Sequence, residues 1–192
     1  VGAMGDTDAG TTVDGSLGNI MIGEGAGGAA WSNSAVSNYN VGIGYQTMRG
    51  VLNGALDNVA VGKDSLKDLT TGDDNVAIGT GAAENLTTGK ENVAIGSGAY
   101  ATANTSENYG VAVGFNAANL LDGIDNVTAI GHSALSTMVA VDGNTAVGFE
   151  AGKVTTGANN TYLGFKAGKG ASGAETGNVG FGTEALTAIT TG

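Results

Sequence analysis

A short apolar phrase ending in glycine occurs eleven times in this chain of 192 residues. Clear copies are residues 58–62, 75–79 and 92–96, which read Asn-Val-Ala-Val-Gly or Asn-Val-Ala-Ile-Gly. The final glycines of successive phrases are 16 to 21 residues apart. A period this short is typical of a solenoid, in which each unit stacks on the next and none has a core of its own. We therefore expect residues 1–192 to form a single repeat array, a segment of a longer fibre, without a separate globular domain.

The last residue of each phrase is called the repeat glycine. A glycine at this place in every repeat predicts a tight corner, because positive φ or a close backbone approach excludes a side chain. The first repeat glycine is Gly5. The ten predicted corners that follow it are Gly23, Gly44, Gly62, Gly79, Gly96, Gly114, Gly131, Gly148, Gly164 and Gly182.

The three residues before each repeat glycine alternate in character. In residues 76–78, for example, Val76 and Ile78 flank Ala77. Alternation with β-branched residues indicates a short strand. We expect the two outer residues to form the interior of the coil and the small middle residue to face a closely packed second or third copy. The pattern thus predicts an all-β fold, a β-solenoid (β-roll) of about eleven rungs, in a rod that two or three copies build around a shared axis.

An Asn stands four residues before the repeat glycine in eight repeats, as at Asn75 and Asn92. Stacked Asn side chains can hydrogen-bond from one repeat to the next and satisfy turn backbone that water cannot reach. We therefore interpret this column as structural and expect it to form a ladder of side-chain hydrogen bonds.

Composition excludes several other classes of protein. The chain has 36 glycines but no proline and no glycine at every third residue, which excludes collagen. Hydrophobic residues make up 41% and sit at regular positions, which argues against disorder. No apolar run approaches the ~20 residues that cross a bilayer, so we expect no membrane insertion. A net charge of −11 makes nucleic acid a poor partner.

The sequence contains no recognisable catalytic constellation. His132 is the single histidine and there is no cysteine, whereas zinc sites draw several such ligands together. The Gly-x-Gly patterns are produced by the repeat itself and are weak evidence for a nucleotide loop. We expect a protein that is not an enzyme and that needs no cofactor.

Acidic turns are the candidate metal ligands. Clustered carboxylates are suited to calcium, although none of these turns completes a known calcium-loop pattern, and solvated turns are the alternative. The candidate calcium ligands are Asp6, Asp8, Asp73, Asp74, Asp122 and Asp125.

Aromatic rings follow the repeat glycine in four successive repeats, at Phe115, His132, Phe149 and Phe165, with Tyr45 earlier in the chain. Stacking of the repeats about 4.8 Å apart would align these rings as a ladder along one edge. Such a ladder is a candidate site for sugars on cell-surface glycans. The alternative interpretation is that the rings cover a seam between neighbouring chains.

The phrase at residues 144–152, Asn-Thr-Ala-Val-Gly-Phe-Glu-Ala-Gly, resembles the NTAVG-type repeats of bacteriophage tail fibres and large bacterial surface proteins. Residues 76–79 and 93–96 are similar to the head repeats of trimeric autotransporter adhesins, which form left-handed β-rolls in trimers. This resemblance extends over nearly the whole chain. It implies a homotrimer that is extracellular, on a cell surface or on a virion.

We therefore expect a structural shaft of a phage tail fibre or an extracellular appendage. One alternative is a carbohydrate- or cell-surface-binding adhesin segment that uses the aromatic ladder. Another is a self-assembling extracellular filament, an end-to-end polymer in which uncapped solenoid ends stack on the next copy.

Overall fold

The protein forms ten short strands that follow one another along a β-solenoid. The computed structural model describes residues 16–28, 31, 34–102, 106–120, 123, 125–137, 142–170 and 176–187. The strands, each of three residues, are β1 (Ile20–Ile22), β2 (Val41–Ile43), β3 (Val59–Val61), β4 (Val76–Ile78), β5 (Val93–Ile95), β6 (Val111–Val113), β7 (Thr128–Ile130), β8 (Thr145–Val147), β9 (Thr161–Leu163) and β10 (Val179–Phe181). The predicted all-β solenoid is confirmed. The remaining predicted rung, which is the first in the sequence and ends at Gly5, lies outside the described residues.

All ten strands belong to one parallel sheet, in which each strand pairs with the strands before and after it in sequence. The register is strict: Val76 pairs with Val93, Ala77 with Ala94 and Ile78 with Ile95. Equivalent residues therefore stack in columns along the whole rod. Each strand, with the turns that lead to the next one, is called a rung and takes the number of its strand.

The strands are oriented with their small middle residue inward, and the predicted orientation was wrong. Ala60, Ala77 and Ala112 are fully buried inside the coil. The residues on either side of them are half-buried or exposed in every strand, as with Val76 and Ile78 around Ala77. A rung of about seventeen residues encloses a narrow interior, and a second row of small residues fills its opposite wall. The interior therefore has room for Ala but not for stacked rows of Val and Ile.

The opposite wall of the interior is formed by the third and fourth residues after the repeat glycine. Ser65 lies in this wall, and its hydroxyl donates to the carbonyl of Ala77 in the next rung at 2.9 Å. The third residue is small and buried in rungs 1 to 9: Ala26, Thr47, Ser65, Ala82, Ala99, Ala117, Ala134, Ala151 and Ala167. Two rows of small side chains thus face each other across the coil.

Large side chains in the interior are matched by glycine on the facing wall. Tyr162 occupies the middle of β9 in place of the usual Ala, and a Cβ on Gly152 would lie 2.9 Å from its Cδ2. A Cβ on Gly168 would collide with the same ring. Met21 in β1 faces Gly27 on the opposite wall, where a Cβ would lie 3.1 Å from the Met21 Cγ. Because protein interiors are close-packed, each large residue requires a compensating loss of volume beside it.

The repeat glycines form the corner after each strand, as predicted. In the ten described rungs their φ lies between 120° and 141°, a region that is essentially restricted to glycine. The nine from Gly23 to Gly164 also stack too closely for a side chain: a Cβ on Gly79 would lie 2.6 Å from the carbonyl of Gly96. Positive φ and close approach therefore act together at this column.

The Asn column forms the predicted ladder of hydrogen bonds. The Oδ1 of Asn58 accepts from the backbone N–H of Asn75 at 3.0 Å and from its Nδ2 at 2.9 Å. The same pair of bonds links Asn75 to Asn92 at 3.1 and 3.0 Å. The ladder is interrupted at Gly110 and Val127 and resumes from Asn144 to Asn178. At Gly110 the missing side chain leaves room for the Tyr100 hydroxyl, which reaches across the interior.

Candidate interaction surface

The outward residues of the sheet form a continuous apolar surface. The first and third residues of β1–β10 are called the strand face. Seventeen of these twenty positions are aliphatic or Phe, three are Thr and none is charged. Ile43, Ile78, Ile95, Ile130 and Leu163 are each 37% to 39% exposed. Exposed strand positions on a soluble protein normally carry polar or charged residues, so this surface is unusual.

The charged side chains lie on the turns instead, where they pair between neighbouring rungs. Lys67 Nζ lies 2.6 Å from Glu84 Oε1, and Lys90 Nζ lies 2.7 Å from Asp73 Oδ2. The hydrogen bond to Glu84 raises the pKa of Lys67, and the hydrogen bond to Asp73 raises that of Lys90. The charges of the rod are thereby separated from the strand face.

Glu150 is the acceptor of a second charged cluster on the turns. Lys153 Nζ lies 2.7 Å from its Oε1, and Lys169 Nζ, in the next rung, lies 2.6 Å from its Oε2. The hydrogen bonds from these two ammonium groups lower the pKa of Glu150 to about 2. The cluster joins rungs 8 and 9 through the turns that follow β8 and β9, away from the strand face.

The four aromatic rings stack as predicted. The ring centroids of Phe115 and His132 are 5.2 Å apart, those of His132 and Phe149 are 5.2 Å apart, and those of Phe149 and Phe165 are 5.3 Å apart. The angles between the ring planes are 28°, 25° and 12°. We call this stack the aromatic ladder. Its residues directly follow the repeat glycines of rungs 6 to 9, two positions beyond the last residue of each strand.

Stacking leaves the edges of these rings, and not their inner faces, open to a partner. The faces of His132 and Phe149 are covered by the neighbouring rings of the ladder. The Nζ of Lys166 lies 4.7 Å from the centroid of the Phe165 ring. Tyr45 lies in rung 2, four rungs before Phe115, and is not part of the stack; Lys63 Nζ is 5.9 Å from its ring centroid.

Two of the three described acidic candidates, Asp73 and Asp125, already accept hydrogen bonds from backbone groups of the neighbouring rung. Asp73 Oδ1 accepts from the N–H of Leu56 at 3.0 Å, and its Oδ2 pairs with Lys90. Asp125 Oδ1 accepts from the N–H of Asn108 at 2.7 Å. Asp74 has a left-handed φ of 57° at the corner before β4. These roles are those of turn residues that cap one rung with the next.

Asp6, Asp8 and Asp122 lie outside the described residues. Within the described part of the chain, no group of three or more His, Asp or Glu side chains is placed to hold a metal ion. The described residues likewise include no helix with the length and apolar character to cross a membrane.

Two buried polar side chains lie in the interior near the interruption of the Asn ladder. Glu107 is fully buried; its Oε1 accepts from the N–H of Gly123 at 2.8 Å, and its Oε2 has no partner among the described residues. Tyr100 is also fully buried, and its hydroxyl is likewise unpartnered there. Burial raises the pKa of the Tyr100 phenol far above its usual range, and the nearby Glu107 adds to this shift.

Sequence reasoning identified the aromatic ladder but missed the strand face as a surface. The missed signal was the second row of small residues, such as Ala82 and Ala99, which lies three residues after each repeat glycine from Gly23 to Gly182. Two small rows in each repeat are enough to line both walls of a narrow coil. The Val and Ile columns therefore have to lie outside.

Comparisons with protein-family models, with curated proteins and with solved structures found no match for this chain.

Proposed function

We propose that this chain is a structural shaft of an extracellular or virion fibre, in which copies associate side by side as a homotrimer. The observation that carries the proposal is the repetition of the same inter-rung bonds along the rod. Strand pairing, glycine corners and Asn ladders join each rung only to its two neighbours. A structure of this kind extends by adding rungs without any change of design, which suits a spacer.

The assignment to a fibre rests on the residues that resemble phage tail-fibre and adhesin repeats. The exposed apolar strand face supports side-by-side association, because a monomeric soluble protein rarely leaves a patch of this length uncovered. Copies that associate in this way give a thicker and stiffer shaft than one coil alone.

Deletion of one complete repeat tests the structural role. Removing residues 75–91 joins β3 to β5 in register, because Asn92 then takes the place of Asn75. We expect the variant to fold cooperatively and to be shorter by about 4.8 Å, measured by small-angle X-ray scattering. Deleting eight residues, 75–82, breaks the register and is the matched control, which we expect to unfold. A one-repeat deletion that fails to fold would contradict independent stacking of the rungs.

The competing functions are separated by two further measurements. In electron micrographs a shaft gives discrete rods, whereas an end-to-end polymer gives filaments of variable length. A glycan array gives no hits for a shaft. Hits that Phe149→Ala abolishes would instead support an adhesin, although the stacked rings offer a sugar mainly their edges.

A further inference from the structure

We propose that the strand face is the surface on which a second copy of this chain packs, and that the two copies run parallel with equal rungs side by side. This inference rests on the proposed function, in which copies associate along their length. It differs from the sequence-based expectation, which placed the contact at the small middle residues that the structure buries inside each coil.

The size of the strand face fits a specific interface. Ten strands stacked about 4.8 Å apart, each about 10 Å long, give roughly 430 Å² on each copy. The aromatic ladder extends the surface beside rungs 6 to 9 and adds roughly 100 Å². Two copies therefore bury about 1,000 Å² between them, which is the level that specific interfaces reach. A third copy around a common axis would add further contacts.

The charge distribution favours another copy as the occupant. Each chain carries a net charge of −11, so two copies repel each other wherever their turns meet. The strand face carries no charge at any of its twenty positions, and contact there keeps the carboxylates of the two copies on outer sides. A second copy also has the same rung spacing and length, so its side-chain rows interlock over the full surface.

The direction follows from the proposed homotrimer. Copies that close around one axis running along the rod are related by rotation alone, so all of them point the same way and equal rungs lie at the same height. In an antiparallel pair rung 2 of one copy would instead lie level with rung 9 of the other.

Disulfide trapping tests both the face and the direction, because the natural chain has no cysteine. Ile43→Cys in rung 2 and Leu163→Cys in rung 9 place single thiols on the strand face. Val154→Cys is the matched control, because Val154 lies on a turn and has the same exposure of 39% as Leu163. We expect Ile43→Cys alone and Leu163→Cys alone each to give at least tenfold more covalent dimer under mild oxidation than Val154→Cys.

The alternative arrangements give different products. Antiparallel packing would trap a dimer only when Ile43→Cys and Leu163→Cys are mixed, because rung 2 then meets rung 9, and this result would overturn the parallel arrangement. If Val154→Cys gives the covalent dimer and neither strand-face variant does, the assignment of the interface to the strand face would be overturned. Side-by-side association of the copies would still stand. A natural chain that sediments as a monomer at micromolar concentration would overturn the association itself, and with it the homotrimer.

A charge-insertion variant provides a second measurement that does not depend on oxidation. We expect Ile95→Glu to convert the oligomer to a monomer that keeps the circular dichroism of the natural chain. Val154→Glu should leave the oligomer unchanged. An oligomer that persists with Ile95→Glu, at unchanged apparent mass, would overturn the assignment of the strand face.

Discussion

The Oδ1 of Asn75 accepts two hydrogen bonds from Asn92, one from its backbone N–H at 3.1 Å and one from its Nδ2 at 3.0 Å. The Nδ2 of Asn75 in turn donates to Asn58 Oδ1 at 2.9 Å and to the carbonyl of Gly89 at 2.7 Å. One buried amide therefore satisfies both a backbone donor and a backbone acceptor of the next rung. This relationship explains why the column is Asn: only an amide combines an acceptor with two donors in so short a side chain.

Asn75→Ala should destabilise the rod by about 3 kcal/mol or more, since it leaves the N–H of Asn92 and the carbonyl of Gly89 buried without a partner. The matched control is Asn178→Ala, directly before β10, where the side chain is only partly buried and, among the described residues, donates to Asn160. There we expect a loss of about 1 kcal/mol. Chemical denaturation measures both, and equal losses would contradict a structural role for the buried ladder.

Gly79→Ala should cost more than about 3 kcal/mol, because the new Cβ would lie 2.6 Å from the carbonyl of Gly96 and φ at this corner is 136°. Gly123→Ala is the control, since φ there is 65° and no atom of the described residues lies within 4 Å of a Cβ. That substitution should cost only about 1 kcal/mol. Thermal unfolding followed by circular dichroism compares the two, and a tolerated Gly79→Ala would show that the corner can open.

Tyr162→Ala should remove about 3–5 kcal/mol of stability, because it empties a fully buried site. Gly168→Leu alone should also destabilise, since its side chain would collide with the Tyr162 ring. Combined, the two changes restore the Ala and Leu pairing that rung 3 has at Ala60 and Leu66. We expect the double variant to be more stable than the sum of the single losses predicts by at least about 1 kcal/mol. Strict additivity would contradict volume exchange between the two walls.

The stability of the Glu150 cluster should depend on pH in a defined window. Its pKa is about 2 in the folded chain against an ordinary value of 4.5. A depressed folded pKa means that the contribution is present above about pH 4.5 and is lost as the pH falls towards 2. The melting temperature of the natural chain should therefore exceed that of Glu150→Gln at pH 6. The difference should shrink by pH 2.5, and a difference independent of pH would argue against the ion pairs as its source.

Glu107→Gln should raise the stability at pH 7 by about 1 kcal/mol, because it replaces a fully buried carboxylate with a neutral group of the same shape. Glu91→Gln on the exposed corner of the preceding rung is the control and should change the stability by less than about 0.5 kcal/mol. Urea denaturation measures both. A loss of stability in Glu107→Gln would show that the charged form is itself stabilised in the fold.

The parts of the fold that repeat could be predicted from the sequence, because a repeated residue implies a repeated environment. The Asn position of Asn92, the glycine position of Gly96 and the ring position of Phe115 each occur once per repeat. Residues at the same position therefore stack on one another once the rungs are parallel and in register. Departures from the repeat were harder to interpret. Met21 and Tyr162 interrupt the column of small middle residues, but Gly27, Gly152 and Gly168, which accommodate them, lie in another column and only the coil brings them together.

The sequence by itself determined that the chain is a stacked β array and which residues align in columns, since the period and the two-residue alternation impose both. Only the tertiary structure decided which side of each strand faces inward. Alternation separates two faces but does not say how wide the enclosed space is, and that width depends on how the turns fold back. The turns bring the row of Ala82 and Ala99 against the row of Ala77 and Ala94, so the small residues fill the coil and the Val and Ile columns face outward.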